Sequence, residues 1–436
     1  MWRLRSAGAS ADGVRVDPTR TPTAPVRQRE IRPLTGFRWV IGLALFLHHA
    51  VNYHLFATRG ADWSPDDLSW QQQLLHQGTA AVAFFFLLSG FTLTWNYAAK
   101  FRTLQARGVT RFYVNRIASI WPIHLLAFGM FSIFFVDDLL ANPAQVLTVA
   151  LPAILLLQAW IPLAGPDTWT LGFNGPSWSL SALLFFYALF PVLIALLGRM
   201  ERARPRLTIA LPVAAVAGTA LLAWAWAGDP YASWLFHTYP PLRLVDFVVG
   251  ICACLVLLRS ARAGLPAALP GGRLGATLIE SATVLLLVVM AFGHEIAPLA
   301  VRYSSWYVLP LAAMVYAFAR GGGLLSAALG TAPLVWLGRI SFPFLMLHVV
   351  VMQALSSAGI YAQSAWLAGV VAFVLSFALA VATHKLWESP ARRFIRARGS
   401  AWLDARFDAA SRDAEEDAAA AAIQLEATRS SDERAA

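Results

Sequence analysis

The sequence predicts an all-α polytopic membrane protein with about ten transmembrane helices, one re-entrant or interfacial segment, and both termini cytoplasmic. Three observations carry this expectation. Of 436 residues, 58% are hydrophobic and only 13% charged, against roughly 25% charged in a soluble domain. Uncharged stretches of about 20 residues, the length a helix needs to cross hydrocarbon, recur along most of the chain. The basic residues collect in a subset of the segments between those stretches. A soluble enzyme is thereby excluded. The net charge of +10 could suit nucleic acid, but only two of the 34 basic residues are lysines, and arginines clustered between apolar runs point to a bilayer surface, not to nucleic acid.

In chain order, residues 1–33 carry seven arginines and four prolines with little apolar content and read as a disordered basic tail. No cleavable signal peptide is recognisable. The membrane domain is expected over 34–398, with spans at about 36–56, 77–97, 117–136, 177–198, 207–228, 242–259, 276–293, 303–319, 334–356 and 364–387. A charged, Ala-rich cytoplasmic tail fills 399–436. The 98–116, 199–206 and 259–275 loops hold five, four and three basic residues, whereas 137–176 and 229–241 hold none. Short cytoplasmic loops accumulate Lys and Arg, so these two sets face opposite sides. The apolar stretch 143–162 is broken by Pro143, Pro152 and Pro162. Were it to cross fully, the 199–206 loop would fall on the wrong side, so it is expected to be re-entrant or interfacial. Cys252 and Cys254, inside an apolar run, read as small fillers.

Ionisable groups inside a span are costly and usually serve a cavity or a partner. Arg38 and His49 lie 11 residues apart in the first span, hence on one helix face at roughly 16 Å separation. His48 points elsewhere on this reading. A cation near the inner boundary below a mid-span imidazole suits an anion site beneath a general base; the alternative is a snorkelling anchor and a packed histidine. Arg111 and Arg116 open the third span and suit a nucleotide phosphate or, more blandly, anionic lipid. In FNGPSWSLSALLFFYALFP, residues 173–191, Trp178, Ser179, Ser181 and Tyr187 enter a span. Taken alone they read as structural. Arg243 with Asp246 reads as an ion pair, and Arg339 with Ser341 and His384 with Glu388 carry less information. His348 is mid-span and could line the same cavity as His49, with a packed, satisfied histidine the alternative reading. No metal-ligand spacing, dinucleotide fingerprint, phosphate loop or nucleophile elbow occurs.

Taken together, GFRWVIGLALFLHHA, FFFLLSGFTLTW, FYVNRIASIWP, NGPSWSLS with FFYALFP, RLVDFVVG, LGRISFPFLMLH and KLWESPARR form an ordered series over residues 34–396. That series resembles the integral-membrane acyltransferase family 3, the O-antigen acetylase-like proteins of bacteria. The resemblance implies a multi-pass protein of the bacterial inner membrane with no permanently bound cofactor. It implies acyl-CoA, with acetyl-CoA the expected donor, as cytoplasmic co-substrate. The acceptor is then a hydroxyl on a glycan, lipid-linked sugar or small natural product. His49 falls on the family's catalytic histidine, and Arg38 and Arg116 become donor-binding residues. Trp178, Ser179, Ser181, Tyr187 and His348 are assigned to the acceptor side or cavity wall. Two departures stand out: Leu183 and Leu184 occupy positions where relatives commonly carry glutamate, and Ser119 stands where a second arginine is usual. Arg111 is the expected substitute. The rival readings are an exporter of a glycan or lipid intermediate and a catalytically silent relative.

Overall fold

The computed structural model describes residues 30–60, 68–75, 77–162, 173–264 and 269–409. Both expected tails lie largely outside them. The described residues form helices and no strand. In order these are α1 (Arg32–Arg59), α2 (Trp70–Leu75), α3 (Gly78–Tyr97), α4 (Ala106–Ser132), α5 (Val136–Ala141), α6 (Pro143–Ile154), α7 (Trp178–Ala203) and α8 (Leu207–Ala225). Then follow α9 (Pro240–Arg262), α10 (Gly272–Phe292), α11 (Leu299–Ser304), α12 (Val308–Arg320), α13 (Leu324–Leu329), α14 (Ala332–Ser357), α15 (Ile360–Gln363) and α16 (Ala365–Thr383). Two π-helical turns, Trp234–Thr238 and His384–Glu388, adjoin α9 and α16. Beyond the second, the helix runs on to Ala409.

Nine stretches of the described residues are long and apolar enough to cross a bilayer. The segment expected to be re-entrant or interfacial holds the 12-residue α6, roughly 18 Å long and too short for a bilayer core of ~30 Å. The span expected at 303–319 is not one helix. The chain breaks at Ser305 to Tyr307 between α11 and the 13-residue α12, with Pro310 accommodated in the new first turn, where its missing N–H is not needed. Although short, α12 is interior: Leu311, Met314, Val315 and Phe318 are buried, and Phe318 packs 4.9 Å from Phe37.

Lipid tails are as apolar as leucine, so helices in a membrane associate through close packing and small residues. Glycines supply this where the site is built. On α3 and α9, a methyl at Gly90 would strike the Phe247 carbonyl and one at Gly250 the Leu87 carbonyl. On α1 and α14, a methyl at Gly338 would strike the Thr35 carbonyl. Further along the same pair, Tyr53 donates to Gln353 at 3.0 Å. Thr35 meeting Gly338 and Tyr53 meeting Gln353 make α1 and α14 parallel. The last long helix returns: His54 near the end of α1 lies 3.2 Å from the Tyr361 carbonyl ahead of α16, and Asp404 pairs with Arg107 at the start of α4. The start of α1 and the end of the described chain therefore lie at one end of the bundle.

Candidate active site

A cavity of about 1370 Å³ runs through the bundle, and its lining includes Arg38, His49, Arg116, Trp178, Ser179 and Tyr187. Residues distributed over 150 positions of sequence thus share one space. At the end where α1 starts, Arg38, Arg116, Arg339 and Arg392 all face it. The Arg116 guanidinium lies over the rings of Phe112 and Tyr187, 5.7 Å from each centroid, and its buried Nε has no hydrogen-bond partner among the described residues. Tyr187 is fixed in turn by Ser89, hydroxyl to hydroxyl at 3.0 Å. Four cations thus share one end of the cavity, and their charge suits a multiply charged anion.

One carboxylate interrupts them. Glu388, 2% exposed, accepts from His384 Nδ1 at 2.7 Å and pairs with Arg392 through its other oxygen. Both His384 and Glu388 line the cavity. Arg396, one turn beyond Arg392, reaches the Ser119 hydroxyl at 3.4 Å. A guanidinium from the C-terminal helix thereby stands where the sequence lacks its second arginine. Arg111, the expected substitute, is elsewhere: it is exposed, 3.6 Å from Asp404, and does not line the cavity. The i, i+4 spacing of His384, Glu388 and Arg392 in HKLWESPARR was the signal available for this cluster.

Eleven residues along α1 from Arg38, His49 lines the cavity, with its Nδ1 2.8 Å from His348 Nε2. His348 itself is fully buried and is not part of the cavity wall. The expectation that it lines the cavity is corrected: it stands behind His49, because parallel packing of α1 and α14 turns the two imidazoles toward each other. His48 also faces the cavity, against the sequence reading that it points elsewhere. The cavity is wide enough to take in two adjacent positions of α1, and His48 Nε2 sits 3.3 Å from Asn52 Nδ2. Of the two leucines in the glutamate positions, Leu183 lines the cavity and Leu184 does not.

Toward the other end, Trp178 packs 4.8 Å from the His237 ring, which lies 4.5 Å from that of Tyr303. His237 comes from the first π turn, a distortion that often marks functional sites and leaves no sequence signature. Tyr307 donates to Gln77 at 2.7 Å on the same wall. Ser179 lines the cavity and bonds back to the Pro176 carbonyl at 2.8 Å. Ser181 does not: it is buried, and lies two residues, about 200° around α7, from both Ser179 and Leu183, which face the cavity. Arg243 and Asp246 form a buried pair at 2.6 Å, with Arg243 also bound to the Tyr303 carbonyl, as the i, i+3 spacing predicts.

Two comparisons bear on what this cavity does. The profile of a family described as an acyltransferase domain matches residues 32–385. The protein is also similar to "Acyltransferase MdmB" of Streptomyces mycarofaciens, 31% identical over 354 residues that cover 76% of this chain and 81% of the relative. No solved structure matches.

Proposed function

The chain belongs to the acyltransferase 3 family, a membrane acyltransferase by its helices and its relatives, and on that premise we propose that it moves an acyl group from acyl-CoA to an acceptor hydroxyl. The observation that carries the reading is a single cavity shared by four arginines at one end and His49 further in. Coenzyme A suits it: phosphates need cations, and the pantetheine arm spans the roughly 16 Å between the Arg38 and His49 levels of α1. The acceptor, on a glycan, lipid-linked sugar or small natural product, approaches from the end walled by Trp178, His237 and Tyr303. His49 takes the hydroxyl proton as the oxygen attacks the thioester carbonyl. Binding of both substrates in one cavity supplies proximity that solution lacks.

Positive-inside loops support an arginine end facing the cytoplasm of a bacterial inner membrane. The direct test supplies purified protein in nanodiscs with CoA thioesters of different acyl length and candidate hydroxyl acceptors, and follows released CoA thiol. Thiol release that requires an acceptor, with acceptor mass raised by one acyl group, supports the reading. Absence of release with every donor and acceptor tried contradicts it.

A further inference from the structure

We propose that His348 is the positioning residue of the transfer reaction: by accepting the Nδ1 proton of His49, it fixes the tautomer in which His49 Nε2 is the base. This rests on the acyltransferase reading above. A neutral imidazole carries one N–H, so only one of the two rings can donate into the 2.8 Å contact between His49 Nδ1 and His348 Nε2. If His348 donated, His49 would hold its own proton on Nε2 and have no lone pair to offer. The surroundings of His348 decide between the two. Its Nδ1 is buried with no hydrogen-bond partner among the described residues, and the backbone groups that act on the ring are the carbonyls of Phe344 and Leu345, one turn back on α14. Carbonyls only accept, so the His348 proton sits on Nδ1 and its Nε2 lone pair faces His49.

The packing holds this arrangement. The His348 ring stacks on Phe344 at 6.1 Å and 17° and lies 5.9 Å from Phe46, while the Tyr53–Gln353 bond clasps the same two helices one turn on. Buried histidine bases are commonly oriented by a carboxylate. Here the cavity position that could supply one is Leu183, and Glu388, the one carboxylate on the cavity wall among the described residues, is engaged with His384 and Arg392. A neutral imidazole takes over the orienting task.

The step balances without a co-reactant. The acceptor oxygen bonds to the thioester carbonyl carbon as its proton passes to His49 Nε2. The C–S bond then breaks, and the same proton passes from Nε2 to the departing sulfur, giving ester and free CoA thiol. His348 neither gains nor loses a proton.

The experiment compares His348→Leu, His348→Phe and His348→Gln in nanodiscs, reading CoA affinity, kcat, and the His49 tautomer by nitrogen NMR of imidazole-labelled protein. Unchanged CoA affinity certifies a folded variant, and Phe, which keeps the stack on Phe344, serves if Leu does not fold. Leu and Phe should lower kcat on the order of 10²-fold, without moving CoA affinity, and His49 should lose its Nδ1–H preference. Gln, whose side-chain oxygen can accept, should recover part of both. An unchanged tautomer in the apolar variants, or Gln no better than Leu, would overturn the proposal. A wild-type protein that transfers no acyl group would overturn the enzymatic reading instead, and the NMR arm would still decide the role of His348.

Discussion

Glu388 accepts a hydrogen bond from His384 at 2.7 Å across one π-helical turn, placing a buried carboxylate among the arginines that line one end of the cavity. A lone anion in an anion receptor weakens the receptor's pull on phosphate but keeps Arg392 and His384 in place. Glu388→Gln should therefore leave CoA affinity equal or tighter while lowering stability by about 1–3 kcal/mol, the range for stranding a buried polar partner. Isothermal titration and thermal unfolding in detergent check the two halves. Weaker CoA binding would mean that the carboxylate shapes the receptor more than it repels the ligand.

Arg116 and Arg111 part company in the structure, and their variants should too. Arg116→Ala should weaken CoA binding by roughly 1.5–3 kcal/mol, as for a charge-assisted hydrogen bond. Arg116→Lys should recover only part, because an ammonium lacks the planar fork that lies over Phe112 and Tyr187. Arg111→Ala should bind CoA like wild type, since Arg111 faces Asp404 at the surface. Equal losses in Arg111→Ala and Arg116→Ala would show that the long-range field of the loop, and not the cavity wall, holds the donor.

Sidedness is open to a labelling test in protein lacking Cys252 and Cys254. Helix α8 separates Ala203 from Asp229, both exposed. A cysteine at 229 should react with an impermeant thiol reagent added outside cells, and one at 203 should not. Reaction at 203 from outside would invert the assignment of the arginine end to the cytoplasm.

Much of this architecture was legible because hydropathy and arginine placement are local properties of a chain in lipid. Nine of the ten expected spans became long helices, and the proline-broken 143–162 stretch yielded the short α6 and a 3-10 turn at Gln158–Trp160. What failed was non-local. The break between α11 and α12 follows from tertiary packing of a short interior helix, which a run of apolar residues does not announce. Arg38, His49 and Arg116 were legible from spacing and from resemblance, and all three face the cavity. His348 was misplaced by one layer, because its position depends on the direction and register of α14 against α1. Arg392, Arg396 and His237 were missed: two sit past the last apolar stretch, and the third is turned inward by a π bulge that composition does not encode.

The most direct test of the account is acyl transfer by His49→Ala beside His48→Ala, each with CoA affinity measured on the same preparation. His49→Ala should lose at least about 10²-fold in rate, as expected for removal of a general base, with CoA affinity unchanged. His48→Ala, altered at a wall position bonded to Asn52, should keep most of its activity. Transfer by His49→Ala at the wild-type rate would contradict the assignment of the base and, with it, the central claim that the arginine-lined cavity is an acyl-transfer site built around His49.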